Sequence, residues 1–293
     1  MLPPRVVLAA VDFSDASRVA LICAARLAKH CGAQLHVLHA EEPMLANAAR
    51  EVDVDLTAET RSELGAFMQS ASPAADWSPQ HHVVVGRAID VICETAQRES
   101  ADVIVLGTHG MSGVERLFFG STTEAVLRQA DTSVLVVPQA WRPPQPDGDD
   151  LAGTGPIVVG VEPSAPAVAA VRAAVALAGT LGTSVEAIHV VPPLPVPARW
   201  SDHAERAQAV ELESAKAAIA AALHEMAGQV SVTVDVGRIA ERLADEVSEG
   251  RDRHPLLMLG RRTHKERGGA PGSVASRVLT LAHVPVLMYL ADR

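Results

Sequence analysis

Short apolar runs alternate with amphipathic stretches through the first half of the chain. Arg5-Val-Val-Leu-Ala-Ala-Val11, Gln34-Leu-His-Val-Leu-His-Ala40, His81-His-Val-Val-Val85, Val103–Leu106 and Ser133-Val-Leu-Val-Val-Pro138 read as strands. Runs this short and this rich in Val and Leu suit parallel strands covered on both faces. The stretches between them carry the helical period. Ala16–Cys31 reads as an amphipathic helix, with Ser14 or Asp15 placed to cap it and Gly32 to end it. A longer irregular stretch from Glu41 leads into a polar helix near Thr57–Ser70. Further helices are predicted over Arg87–Glu99 and Ala125–Ala130. Strand-helix alternation with right-handed crossovers predicts an α/β fold with one parallel, doubly wound sheet.

The pattern then breaks and starts again. Gln139–Pro156 is rich in Pro, Gly and Asp and reads as a linker. Beyond it, Ile157-Val-Val-Gly-Val-Glu-Pro-Ser164 echoes Val7-Leu-Ala-Ala-Val-Asp-Phe-Ser14. His189 stands 150 positions after His39, and Gly237 of Val236-Gly-Arg stands 151 after Gly86 of Val85-Gly-Arg. Leu256-Leu-Met-Leu-Gly260 and Pro285-Val-Leu-Met288 echo Val103-Ile-Val-Leu-Gly107 and Ser133-Val-Leu-Val136. Five anchors in one order at near-constant offset indicate a tandem duplication. The expected layout is a first domain over 1–140, a linker over 141–155 and a second domain over 156–293.

Bulk properties narrow the function. A chain of 293 residues has room for two cores. Aromatic residues are 3% of the total, too few for base-stacking platforms, and the net charge of −10 argues against a nucleic-acid partner. A small, locally cradled phosphate is still allowed. No run approaches the length of a membrane span, and Met1-Leu-Pro-Pro-Arg-Val enters a strand without a signal-peptide pattern. Cys23, Cys31 and Cys93 form no C-x-x-C pair and read as small apolar residues in a reducing compartment, so a cytoplasmic protein is expected.

The candidate chemistry lies in Gly107–Glu124, G-T-H-G-M-S-G-V-E-R-L-F-F-G-S-T-T-E, between the fourth strand and its helix. Glycines let backbone approach a ligand, and the free amides of a helix start favour an anion. The competing reading is a plain connection in which Ser121-x-x-Glu124 forms a capping box. In open parallel sheets, ligands sit beyond the carboxyl ends of the strands. Asp12 and His39-Ala40 end two other strands there: an acidic side chain can bond a nucleoside, and strand-end backbone can read an adenine edge. Neither a dinucleotide fingerprint nor a Walker loop fits. Val11-Asp-Phe-Ser-Asp15 has no glycine, and no lysine follows a glycine between 107 and 121. Arg116 is the lone cationic side chain there, so phosphates would rest on amides with a divalent ion.

Gly107-x-x-Gly110, nine residues, then Gly120-Ser121 resembles the nucleotide-binding signature of the universal stress protein family. Val11-Asp12-Phe13-Ser14 and Leu38-His39-Ala40 resemble its other hallmarks. The resemblance covers both repeats. It implies two Rossmann-like sheets of strand order 3-2-1-4-5, with domains or subunits associating through strand five and a homodimer among the expected assemblies. It implies ATP, with Mg2+ as the divalent ion, held at the adenosine by Asp12 and Ala40 and at the phosphates by Gly107, Gly110, Gly120, Ser121 and Thr122. The expected role is regulation or sensing in a stress response. A slow ATP hydrolase using His109 or Glu115, and a ligand-free dimerising scaffold, are the alternatives.

The second repeat departs from the signature. Gly260-Arg-Arg-Thr263 has Thr for the second glycine, eight residues precede Gly272-Ser273, and Glu162 replaces Asp12. Weak or absent ATP binding is expected there, with Arg261, Arg262, Lys265 and Arg267 forming a basic, solvated loop. The recurrence of His39 as His189 predicts a structural hydrogen bond repeated by duplication. His81 and His82 point to opposite faces of their strand and make no metal pair, so no catalytic residue and no metal ligand is expected.

Overall fold

The computed structural model describes residues 2–71, 79–108, 120–142, 155–195, 201–249, 254–261 and 272–291. The chain forms two compact units, changing over between Leu151 and Ala152.

In the first unit, β1 (Val6–Ala10), β2 (Gln34–Glu41), β3 (Gln80–Val85), β4 (Val103–Gly107) and β5 (Ser133–Val137) form a parallel sheet in the order β3-β2-β1-β4-β5. Val7, Leu8, Val103, Ile104 and Val105 are fully buried, as expected where helices cover both faces. Helix α1 (Asp15–Cys31) packs an alanine face, Ala16, Ala20 and Ala24, onto the central strands. Gly32 closes it at φ 61°, a left-handed cap that costs glycine nothing. Helices α3 (Leu56–Ala71), α4 (Ala88–Arg98) and α5 (Ser121–Gln129) complete the layers.

The irregular stretch expected after Glu41 contains a helix, α2 (Pro43–Glu51). It buries Ala46 and leaves Met44 and Leu45 exposed, so it lacks the apolar stripe by which a helix is read. Proline at its start fits the first turn, where an N–H would find no acceptor.

The second unit repeats the plan, with β6 (Ile157–Gly160), α6 (Ala165–Leu181), β7 (Val185–Val191), α7 (Ser201–Ala222), β8 (Val230–Val236), α8 (Ile239–Glu249), β9 (Leu256–Arg261), α9 (Ser273–Leu281) and β10 (Val286–Leu290). Its strands run β8-β7-β6-β9-β10, again parallel. Gly182, 150 positions after Gly32, closes α6 at φ 68°. The two sheets share one winding, as the strand order inferred from the family resemblance requires.

Candidate functional site

Register decides which strand ends meet. Ala10 pairs with Leu38 across β1 and β2, and Ala9 with Val105 across β1 and β4. Asp12, Ala40 and Gly107 each lie two residues beyond those pairs. They therefore emerge at nearly one level of the sheet's carboxyl edge, where a parallel α/β sheet holds its ligands.

Asp12 is fixed before any ligand arrives. Its Oδ1 accepts from the Ser14 amide at 3.1 Å and the Ser14 hydroxyl at 2.5 Å, while its own N–H donates to Ser17 Oγ at 3.3 Å. Ser14 in turn caps α1, its Oγ accepting from the Ser17 amide at 3.1 Å. Among the described residues Oδ2 is left for another donor. The turn that achieves this puts Phe13 at φ 63°. Left-handed backbone at a bulky residue costs about 1–3 kcal/mol and persists where neighbours enforce it. The Phe13 ring lies 4.5 Å from His39 and meets Phe67 edge-on at 5.5 Å, with the Arg18 guanidinium 5.0 Å over Phe67. His39 is held by its own bond between Nδ1 and the Val11 carbonyl, 2.9 Å, and His189 repeats that bond to Val161 at 2.7 Å. The structural role expected of this histidine pair is what the two units display.

Gly107 has a packing reason to be glycine. A β-carbon there would stand 2.8 Å from the Ala16 carbonyl carbon and oxygen, in the backbone of α1. Gly260 meets the same constraint against Pro166 in α6. The loop after β4 leaves and returns at one place. Thr108 donates its amide to Val137 at 3.1 Å, the Gly120 amide returns to the Thr108 carbonyl at 2.5 Å, and Thr123 Oγ1 donates to Gly107 at 2.8 Å. Gly110, with His109, Glu115 and Arg116, lies outside the described residues.

Ser121 does not cap α5. Gly120 is the N-cap, at φ −53° and ψ 149°, and Ser121 is already in the helix. The capping box therefore fails by one position: Glu124 pairs with Arg128 one turn on and does not reach back. With glycine as cap, no side chain among the described residues accepts the first amides of α5, and the exposed hydroxyls of Ser121 and Thr122 flank them. Such an end offers unpaired N–H donors and the positive end of the helix dipole to an anion.

Two features could not be read from spacing. Glu41 ends β2 with a buried carboxylate: Thr57 donates to Oε2 at 2.9 Å, and Oε1 has no partner among the described residues. Away from the carboxyl edge, His82 meets His36. Position 82 pairs with Leu38, so His82 and His36 are diagonal neighbours on one face, 3.0 Å apart between Nε2 and Nδ1. Glu99, at the end of α4, brings Oε2 to 3.7 Å from His36 Nδ1. Burial pushes the His82 pKa below its ordinary value, and the hydrogen bond from Arg98 holds Glu99 below the usual carboxylate range. The rule that adjacent strand residues point apart correctly separates His81 from His82, yet it says nothing of a partner on the next strand. Burial also pushes the Cys23 thiol up to about 12 and Cys31 to about 11, so neither is a thiolate at neutral pH.

No described helix is long and apolar enough to cross a membrane. The universal stress protein family model matches residues 4–138 and again 153–289. A universal stress protein of Thermus aquaticus is 33% identical over 136 residues, 45% of this chain and 98% of its own. One from Methanocaldococcus jannaschii is 33% identical over 132 residues, 43% and 77% of the two chains. The crystal structure of a universal stress protein from Archaeoglobus fulgidus aligns over 100% of both chains with a TM-score of 0.67 at 17% identity, a likeness of fold alone. With its model matched once in each half, the chain belongs to the universal stress protein family, as a tandem member.

Proposed function

We propose that the first unit binds ATP at the carboxyl ends of β1, β2 and β4 and that the protein acts as a regulator or sensor in a stress response. The observation that carries this reading is the Asp12–Ser14–Ser17 network, which orients a carboxylate toward a nucleoside at the level where β2 and β4 end. In this reading the Ala40 backbone, on the neighbouring strand β2, reads the base. The glycine-capped start of α5, with Ser121 and Thr122, supplies donors of the kind phosphates need, and Gly110 belongs to the same signature. A Mg2+ ion would balance the phosphate charge, since the acidic chain supplies little of its own.

The second unit supports the reading by what it lacks. Among the described residues the exposed Glu162 carboxylate accepts only from Ser164 Oγ, at 3.0 Å, and Ser164 makes no side-chain cap bond. Val274 and Ala275 stand where the first unit has Thr122 and Thr123, and Thr263 where it has Gly110. This unit is expected to hold no ATP. The test is equilibrium binding of ATP and Mg2+ to the full chain, with native mass spectrometry for stoichiometry. One nucleotide per chain is expected, with affinity reduced at least tenfold in Asp12→Ala and unchanged in Glu162→Ala. No binding at low millimolar ATP would favour the scaffold reading and overturn this one.

A further inference from the structure

We propose that His36, His82 and Glu99 form a binding site for a divalent transition-metal ion, with zinc as the ion that best suits the ligand set, below the carboxyl edge of the sheet and apart from the nucleotide cradle. His36 sits in the amino-terminal half of β2, His82 in the middle of β3, and Glu99 at the end of α4, just before the chain enters β4. One ligand atom from each residue can be chosen so that all lie within 4.8 Å of one another. A tetrahedral ion bound at about 2.0–2.2 Å holds its ligand atoms roughly 3.3–3.5 Å apart. The observed 3.0 Å from His36 Nδ1 to His82 Nε2 and 3.7 Å to Glu99 Oε2 bracket that span.

The present arrangement already aims two imidazole nitrogens at one point. The two imidazole rings lie 6° from parallel with centroids 5.2 Å apart, their nitrogens turned toward each other. Two neutral rings can share only one proton across that contact. The far nitrogen of His36, Nε2, is buried without a partner among the described residues with either occupant and is not a ligand atom. A metal ion would take the place of the shared proton and accept a lone pair from each ring. His36 is 3% exposed and cannot move far, whereas His82 and Glu99 are partly exposed and can swing to meet an ion entering from solvent. Arg98 donates to Glu99 Oε1 at 2.8 Å, which fixes the carboxylate with Oε2 toward His36. Such outer bonds orient a ligand carboxylate in metal sites. Arg98 also adds positive charge, so moderate affinity is expected.

Two imidazoles and one carboxylate favour zinc or a neighbouring d-block ion over Mg2+ or Ca2+, which want oxygen ligands. Three protein ligands leave a fourth position for water. The duplicated unit shows that the fold does not need this cluster. The equivalent positions are Glu186, Thr233 and Gly250, and Thr233 pairs with Ile188 as His82 pairs with Leu38.

The experiment is a titration of the chelator-treated full chain with Zn2+ in nucleotide-free buffer, read by calorimetry and native mass spectrometry. Cobalt is substituted for the absorption spectrum. One ion per chain is expected. His82→Ala should abolish it and Glu99→Gln should weaken it at least tenfold, while His81→Ala, the exposed neighbour, should bind as wild type does. Circular dichroism checks that each variant is folded, and buried His36 is left intact for that reason. The cobalt spectrum should lack thiolate charge transfer. Failure of the wild type to bind zinc, equal binding by His82→Ala, or a thiolate band from the cysteines would each overturn the assignment. None of these readouts depends on ATP.

Discussion

The loops after β4 and β9 begin alike and diverge within three residues, and the divergence separates architecture from ligand binding. A glycine stands at or next to the end of each strand, Gly107 and Gly260, and in both a β-carbon would strike the backbone of the unit's first helix, α1 or α6. Both next helices are capped by glycine, Gly120 and Gly272, at nearly the same dihedral angles, φ −53° and −58°. These shared features belong to the fold. What only the first unit has is Gly110, the Thr122 and Thr123 hydroxyls, the buried Glu41 where the second has Val191, and a carboxylate of the length that reaches both donors of Ser14. A signature glycine is thus not by itself a ligand contact. Only the part lost by a duplicate that keeps its fold points to the ligand.

The largest effects should come from breaking the shared part. Gly107→Ala and Gly260→Ala each force a methyl group into helix backbone that cannot yield as a side chain would. Each should cost about 1–3 kcal/mol or more, the range for overpacking. Urea unfolding measures it. Near-neutral behaviour of Gly107→Ala would return that residue to the ligand, whereas Gly272→Ala should be mild, since a β-carbon there meets nothing within 4 Å.

A smaller contrast lies in the caps. Ser14 accepts the Ser17 amide, but Ser164 makes no such bond at the start of α6, where Pro166 has removed one donor. Ser14→Ala should cost about 1 kcal/mol, as loss of a serine cap does, and Ser164→Ala a few tenths. Equal costs in urea unfolding would mean that the two helix starts are alike after all. Ser14→Ala should also weaken ATP binding, because Asp12 loses the hydroxyl donor and keeps only the backbone amide of residue 14.

The same contrast shows what a sequence can and cannot display. The strands were legible because buried parallel strands leave unbroken apolar runs, and the duplication supplied each assignment twice; their order in the sheet came from the family resemblance alone. α2 was illegible because it buries only Ala46. Ser-x-x-Glu fits a capping box at Ser121 as well as an anion-facing first turn; in the structure Gly120 is the cap and Ser121 lies in that first turn. Spacing cannot tell a glycine that clears a helix from one that clears a ligand. It also cannot tell that His36 faces His82, since that depends on register between strands 46 residues apart. Asp12 and Ala40 could be nominated because strand ends are where ligands sit. The Ser14 network around Asp12 needed coordinates.

A pH effect should distinguish the units more weakly. Burial, reinforced by Arg26 and Lys29, lowers His30 to about 4 from its ordinary 6.5. Between those values the unfolded chain binds the proton more readily than the folded one. Stability therefore falls as pH drops from 6.5 toward 4, and this group changes nothing above 6.5. The second unit carries Thr180 at the equivalent place. His30→Thr should flatten the fall in urea midpoint between pH 6.5 and 4.5, by a modest amount because the ring is partly exposed and screened. An unchanged slope would assign the acid sensitivity to other groups.

The smallest expected effect is the most direct probe of the comparison. Glu162→Asp restores to the second unit the carboxylate of the first, while leaving Thr263, Val274 and Ala275 in place. Glu162 is exposed and, among the described residues, its side chain is bonded only to Ser164, so stability should move by less than about 0.5 kcal/mol, as for other surface changes. The stoichiometry of ATP should stay at one per chain, because a carboxylate at the strand end restores neither the glycine at the Gly110 position nor the hydroxyls at the Thr122 and Thr123 positions. A second bound nucleotide in Glu162→Asp would locate the difference between the units in one methylene, and the loop glycines would then count as architecture along with Gly107 and Gly260.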